Sequence, residues 1–294
     1  ILAPQDPMVQ DVSNRLQPPN ENAYMGTDEL GRDVFSRVLY GGRFTIPAAL
    51  VVVILAGLFG ILIGTLAGYS GGIWDEGLMR LTDLFLAFPV IILAMAVAAA
   101  LGPAIRNAVI VLIIVRWPHY SRLMRATILE AKSQEYVMAS RSMGASHAHI
   151  LGRTLLPNTL AVALVYAAID IGVVILLFAA LGFLGLGAEP SSPEWGRMVS
   201  IGVDFFDQWW MWLFPGLAIA TFVIAVNFIW IAAAMGVAIN VHEMGHAMGC
   251  KHFGGQCSEI GLLLLVFTPC VYCNDSDAWV MKNRLHRIAI SGAG

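Results

Sequence analysis

Long apolar runs separated by short polar breaks dominate this sequence, at about residues 45–68, 78–101, 105–122, 158–184 and 212–235. A helix needs about 20 residues to cross roughly 30 Å of hydrocarbon, and these runs approach or exceed that length. The breaks carry turn chemistry: Ser70-Gly71-Gly72, Gly102-Pro103 and Glu189-Pro190-Ser191-Ser192-Pro193. Arg106 and Arg116 lie within the third run, near its ends, where a guanidinium on a long stem reaches the headgroups. Lipid offers backbone N–H and C=O groups no partner, so such runs satisfy themselves as helices. The pattern predicts an all-α, polytopic membrane helical bundle with five spans.

Composition agrees. Of 294 residues, 58% are hydrophobic and 13% charged, whereas a soluble domain carries about 25% charged residues. The formal net charge of −3 excludes nucleic acid as an expected partner. All four cysteines, Cys250, Cys257, Cys270 and Cys273, fall near the C-terminal end, which marks a compositional shift and reads as free thiols in a reducing setting. The chain opens on Ile1-Leu2-Ala3-Pro4 without an initiator Met or a basic-then-apolar leader. The expectation is a truncated start and no signal peptide.

Loop charge sets orientation. Residues 123–157 carry Arg125, Lys132, Arg141 and Arg153, whereas residues 185–211 carry Arg197 against Glu189, Glu194, Asp204 and Asp207. The positive-inside rule therefore places 123–157 in the cytoplasm. Residues 1–44 then lie outside, against the rule, since Arg15, Arg32, Arg37 and Arg43 occur there with Asp28, Glu29 and Asp33 in partial balance. Trp209, Trp210 and Trp212 are expected as headgroup anchors. Asp83 is expected to pair with Arg80 near the cytoplasmic end, and Asp170 either to face a polar path or to bond between helices.

Within the cytoplasmic loop, residues 123–143 form a helical pattern that Gly144-Ala145-Ser146 breaks before a second stretch, His147 to Leu156, which ends at Pro157. This helix-turn-helix, fixed at both ends by spans, suits insertion into a groove of a soluble partner. The residues Ala139, Gly144, Leu156 and Pro157 match the loop pattern E-A-A, three residues, G, nine residues, I-x-L-P of binding-protein-dependent importer permeases, although Met138, Ser140 and Thr154 depart from it. The run Gly26-Thr27-Asp28-Glu29-Leu30-Gly31-Arg32-Asp33-Val34-Phe35-Ser36-Arg37 resembles the dipeptide, oligopeptide, glutathione and nickel branch of that family. So do Asp83 to Pro89, Leu181 to Gly187, Glu194-Trp195-Gly196 and Phe214-Pro215-Gly216, and the resemblance covers residues 1 to about 228.

That resemblance implies a type I ABC importer permease fold of six spans, the first missing here, with no cofactor of its own. It implies an extracytoplasmic segment at 1–44 and a transmembrane domain at 45–235, with Ala139, Gly144, Ala145, Leu156 and Pro157 in the ATPase-docking loop. Implied partners are a second permease, cytoplasmic ATPase subunits, a periplasmic solute-binding protein and lipid. No G-x-x-x-x-G-K-[ST] occurs in the sequence, so energy is expected from a partner. The implied place is the bacterial inner membrane, and the implied activity is import of peptides or related solutes, with the substrate-binding residues unknown.

Beyond Asn227 the pattern changes. An apolar helix leads into His242-Glu243-Met244-Gly245-His246, followed by His252-Phe253-Gly254, Glu259-Ile260-Gly261-Leu262, Pro269, Tyr272 and Asp277-Ala278-Trp279. Two histidines four apart share a helix face and can hold one zinc, with Glu243 placed to activate its water. Residues 229–294 resemble the opening of site-2-protease-like intramembrane zinc metallopeptidases, and 236–294 form the corresponding helical fragment. The resemblance implies His242 and His246 as metal ligands and Glu243 as catalytic base. The third ligand lies further downstream in that family than this chain extends, and Asp275, Asp277, His286 or Cys270 with Cys273 are the local substitutes. The alternative readings are thus a metallopeptidase preceded by permease spans, or an inert chimera.

Overall fold

The computed structural model describes residues 3–189, 191–252, 260–265 and 268–273, with side chains described at most positions up to 236. The chain divides into two compact units, Ile1–Asn227 and Phe228–Gly294. The first unit is helical: α1 (Val34–Ser70), α2 (Gly72–Leu86), α3 (Val90–Leu101), α4 (Ile105–Lys132), α5 (Glu135–Ser142), a short α6 (His147–His149), a π-helical turn at Ile150–Leu155, α7 (Leu156–Phe183), α8 (Trp195–Asp204) and the start of α9 (Trp210–His252).

The bundle is organised around α1 and α4. Gly57, Gly60, Gly64 and Gly68 lie on one face of α1, three and four residues apart, against Trp117, Tyr120, Ser121, Met124, Arg125 and Ile128 of α4. At Gly60 and Gly64 a Cβ would collide with the backbone carbonyls of Trp117 and Ser121. Lipid supplies no hydrophobic drive between helices, so this close backbone approach is what packs the pair. A second apolar layer joins Val52 and Ala49 of α1 to Val111 and Leu112 of α4 and to Val174, Ile175 and Phe178 of α7.

The second predicted span is broken. Helices α2 and α3 meet at an 85° bend across Ala87-Phe88-Pro89. Pro89 has no N–H to continue the ladder and pushes Phe88 away from helical backbone angles. Among the described residues, three helices are long and apolar enough to cross a membrane, or four when the bent pair counts as one. The sequence predicts five spans, and α4, the third of them, is not apolar enough to count. Its charges spoil its hydropathy, yet Arg116 is buried in the bundle and does not reach the headgroups as expected from the sequence.

The two ends of the bundle are fastened by different contacts. The C-terminal turn of α1 meets the end of α4 through Lys132, whose Nζ donates to the Gly68 and Tyr69 carbonyls at 3.1 and 2.9 Å. At the opposite end, residues 3–33 cap the bundle. Asp28 and Glu29 pair with Arg32 at 2.6 and 2.8 Å, and Arg37 donates to the carbonyls of Pro7 and Ser192. Of the four arginines in this segment, Arg32 and Arg37 are buried and paired within the run Gly26 to Arg37, whereas Arg15 and Arg43 are exposed. Trp210 also departs from its expected role as a headgroup anchor. It is buried and donates through Nε1 to the Thr27 carbonyl at 3.0 Å, while Trp209 stays exposed.

In the second unit, Ile260–Leu265 (β1) and Thr268–Cys273 (β2) form an antiparallel hairpin, from Ile260 opposite Cys273 to Leu265 opposite Thr268. The all-α expectation fails here. Gly261 and Pro269 disfavour helix, and Val271, Tyr272 and Thr268 favour strand.

Candidate functional site

The loop between α4 and α7 is an exposed element on a buried footing. Helix α5 is only eight residues long, and its Met138, together with Met143 just beyond it, is solvent-exposed. Its Val137 is fully buried with Ile150, Leu155, Met124, Ile128 and Ala163. Gly144 ends the helix with φ of 79°, its N–H donating to the Arg141 carbonyl at 2.9 Å, and Ala145 N–H donates to Ser140 at 3.1 Å. A left-handed residue here reverses the chain, and glycine does so without a Cβ penalty. Ser146 then caps α6 by accepting from His149 N–H.

The predicted loop residues come together in part. Gly144 and Ala145 form the turn, Leu156 packs on the footing, and Pro157 lies where the π turn passes into α7. Ala139 lies on α5, with its side chain outside the described residues. Sequence reading missed Val137, Ile150 and Leu155, which anchor the loop, and the π turn at Ile150–Leu155 that joins it to α7. A π turn inserts one extra residue and is common where a helix serves function. The apolar spacing of 150 and 155 was the available signal.

A buried polar network crosses the bundle between α4 and α7. Arg116 bonds both carboxylate oxygens of Asp170, and donates to the Tyr166 hydroxyl at 3.0 Å. Tyr120 donates to Asp170 Oδ2 at 2.9 Å. Asp170 therefore makes inter-helix contacts, the second of its two predicted roles. Asp83 does not pair with Arg80: it binds Arg122 of α4 at 2.6 Å, and Arg80 binds Glu76 instead. Asp75 holds Arg125 through two bonds of 2.6 and 2.8 Å. Helix α4 is thus tied to α7 by a buried ion pair, and to α2 by one partly buried pair, Asp75 with Arg125, and one exposed pair, Asp83 with Arg122.

Helix α8 clasps the opposite end. Glu194, fully buried, accepts from Gly196 N–H and Arg197 N–H at 2.8 Å each, and burial pushes its carboxyl up to about 7. Trp195 Nε1 donates to the Val38 carbonyl of α1 at 2.8 Å. This accounts for the Glu194-Trp195-Gly196 motif as a structural joint.

The predicted zinc residues lie on α9, but the side chains of His242, Glu243 and His246 are outside the described residues, as are Asp275, Asp277 and His286 altogether. No cluster of three metal-ligating side chains occurs among the described residues.

Comparison with known proteins places the helical unit. Residues 60–235 match the family model of the binding-protein-dependent transport system inner membrane component. The chain is 46% identical over 227 residues to the probable D,D-dipeptide transport system permease protein DdpC of Escherichia coli K12, covering 77% of this chain and 76% of that one. It is 41% identical to the di/tripeptide transport system permease protein DppC of Pseudomonas aeruginosa, covering 77% of each. Its fold matches a chain of the inward-facing MetNI methionine ABC transporter with TM-score 0.52 at 21% identity, over 68% of this chain and 96% of that one. A chain of an amino acid ABC transporter solved with histidines gives TM-score 0.54 at 16% identity, over 68% and 92%. A multi-pass helical bundle with a buried α4 and an exposed loop at one end, matched over most of its length, belongs to the family of binding-protein-dependent transport system inner membrane components: it is the permease subunit of an ABC importer.

Proposed function

We propose that this permease imports peptides of two or three residues across a bacterial inner membrane, drawing energy from ATPase subunits that dock on the loop around α5. The observation that carries the docking reading is the loop's construction. Its exposed residues, Met138, Arg141, Met143 and Gly144, stand on a footing of Val137, Ile150 and Leu155 that is buried among the ends of α4 and α7. A partner seated on α5 therefore pushes directly on two membrane helices. The peptide substrate follows from relatives named for dipeptide and di/tripeptide transport. A solute-binding protein would deliver the peptide at the capped end, and a second permease would complete the translocation path.

The test is uptake of a labelled dipeptide by the complete importer in proteoliposomes, with Gly144→Val. A β-branched residue at φ of 79° costs about 1–2 kcal/mol in backbone strain, while open space around Gly144 removes any steric contribution. The variant should insert normally and hydrolyse ATP without matching uptake. Wild-type uptake would refute the docking assignment, and uptake that excess di- and tripeptides do not compete for would refute the substrate class.

For 236–294 we propose zinc binding at His242 and His246. Helix α9 continues to His252, so the two histidines fall one turn apart on a single helix. Stoichiometric zinc, lost in His246→Ala, supports this. Peptide cleavage that disappears in Glu243→Gln would further establish a catalytic centre.

A further inference from the structure

Both ends of the docking loop are fastened to one residue, Tyr69, in the last turn of α1. At the loop's entry, Lys132 donates to the Gly68 and Tyr69 carbonyls, two of the acceptors that a helix end leaves without an intrahelical partner. Its ammonium also stands 5.7 Å from the centre of the Tyr69 ring. At the exit, the Tyr69 hydroxyl lies 2.7 Å from His147 Nδ1 and donates to the His147 carbonyl at 3.4 Å. The two rings meet edge to face at 5.9 Å. Helix α5 and Gly144 lie wholly between these two attachments.

We propose that Tyr69 is a positioning residue that couples the docking loop to α1, so that displacement of α5 moves α1 together with α4 and α7. The reason is connectivity. The loop grows out of α4 and runs into α7, and those two helices feel any load through the backbone. Helix α1 does not adjoin the loop in the chain and receives load there through side chains: Ile61 and Tyr69 pack on the loop's footing, and Tyr69 also carries the polar contacts with Lys132 and His147. Helix α1 is in turn packed along α4 through its glycine face and bears Asp33 to Arg37 of the capping segment at its other end. A load applied at Tyr69 therefore reaches the far face of the membrane. Lys132 alone leaves the exit free, because it precedes α5; the His147 contact closes the bracket.

The inference rests on the docking reading, and the experiment separates the two. Tyr69→Phe keeps the ring and the backbone acceptors of Lys132 and removes only the hydroxyl. In the complete importer reconstituted in proteoliposomes, ATP hydrolysed per peptide taken up should rise about fivefold, the factor that one neutral hydrogen bond commands, with the ATPase still co-purifying at the wild-type ratio. His147→Ala should give the same rise, and Tyr69→Phe with His147→Ala no more than either alone. A wild-type ratio in Tyr69→Phe, or additive effects in the double variant, would overturn the proposal. Loss of ATPase co-purification in Tyr69→Phe would also overturn it, since the residue would then serve docking itself. If Met138→Ser with Met143→Ser and Gly144→Val all leave co-purification and coupling intact, the docking reading fails and this inference with it.

Discussion

Replacing Asp170 by asparagine tests whether the Arg116 network holds α4 to α7. The carboxylate is 1% exposed and Arg116 5%, so neither charge is relieved by water. At the 3.4 Å separation of Arg116 Nε and Asp170 Oδ2, an effective dielectric of 20 gives about 5 kcal/mol of attraction. Asparagine preserves shape and one acceptor for Tyr120 but strands the guanidinium, and breaking one partner of a buried pair costs about 3–5 kcal/mol. Asp170→Asn should therefore lower the thermal unfolding midpoint of the purified importer in detergent. A double variant, Arg116→Met with Asp170→Leu, should recover most of the loss, because removing both charges also removes their desolvation cost. Recovery should extend to assembly and insertion. If Asp170→Asn unfolds at the wild-type temperature, the pair is not the tie described; if the double variant is as unstable as the single, the harm comes from packing and the electrostatic account is wrong.

Three further outcomes follow from the same geometry. Gly64→Ala should destabilise the bundle by about 1–3 kcal/mol, since its methyl meets the Ser121 carbonyl, whereas Gly77→Ala, in open space on α2, should be neutral or stabilising; equal melting shifts would refute the α1–α4 seam. The carboxyl of Glu194, raised from 4.5 to about 7, makes folding favour the protonated form, so its contribution is fully present below pH 4.5 and falls by about 3 kcal/mol as pH rises through 7. A melting midpoint whose decline between pH 5 and 8 is unchanged in Glu194→Gln would refute that. Trp195→Phe shrinks the ring packed against Gly41 and Gly42 and leaves the Val38 carbonyl without its side-chain donor, and should cost about 1–3 kcal/mol by chemical denaturation.

The helices were legible where apolar runs are uninterrupted and obscure where charge intervenes. Residues 45–68 and 158–184 carry no charge but Asp170, and the helices there are longer than the runs because Asp33 caps α1 and the π turn extends α7. The run 78–101 gives no apolar hint of its 85° bend. Pro89 alone signalled it, and proline inside a span is often absorbed: Pro47, Pro118 and Pro215 sit within α1, α4 and α9 without breaking them. Burial does not separate the cases, since Pro47 is exposed on its helix and Pro118 is buried, and both helices continue.

Charge was misread for a related reason. Counting signs along the loops treats each arginine as exposed, yet Arg32 and Arg37 are folded into the turn that Asp28 organises, and Arg116 is folded into the core. Spacing pointed to local partners such as Arg80 for Asp83, whereas the structure pairs residues of different helices, Asp83 with Arg122 and Asp75 with Arg125. In a bundle where lipid rewards no charge, the partner that matters is the one on the adjoining helix face, and sequence distance says little about it. The docking loop escaped this difficulty because its turn depends on a local requirement, a left-handed residue at Gly144. Its attachment to Tyr69, some seventy-eight residues from His147, is non-local and became visible only once α1 and α4 were packed together.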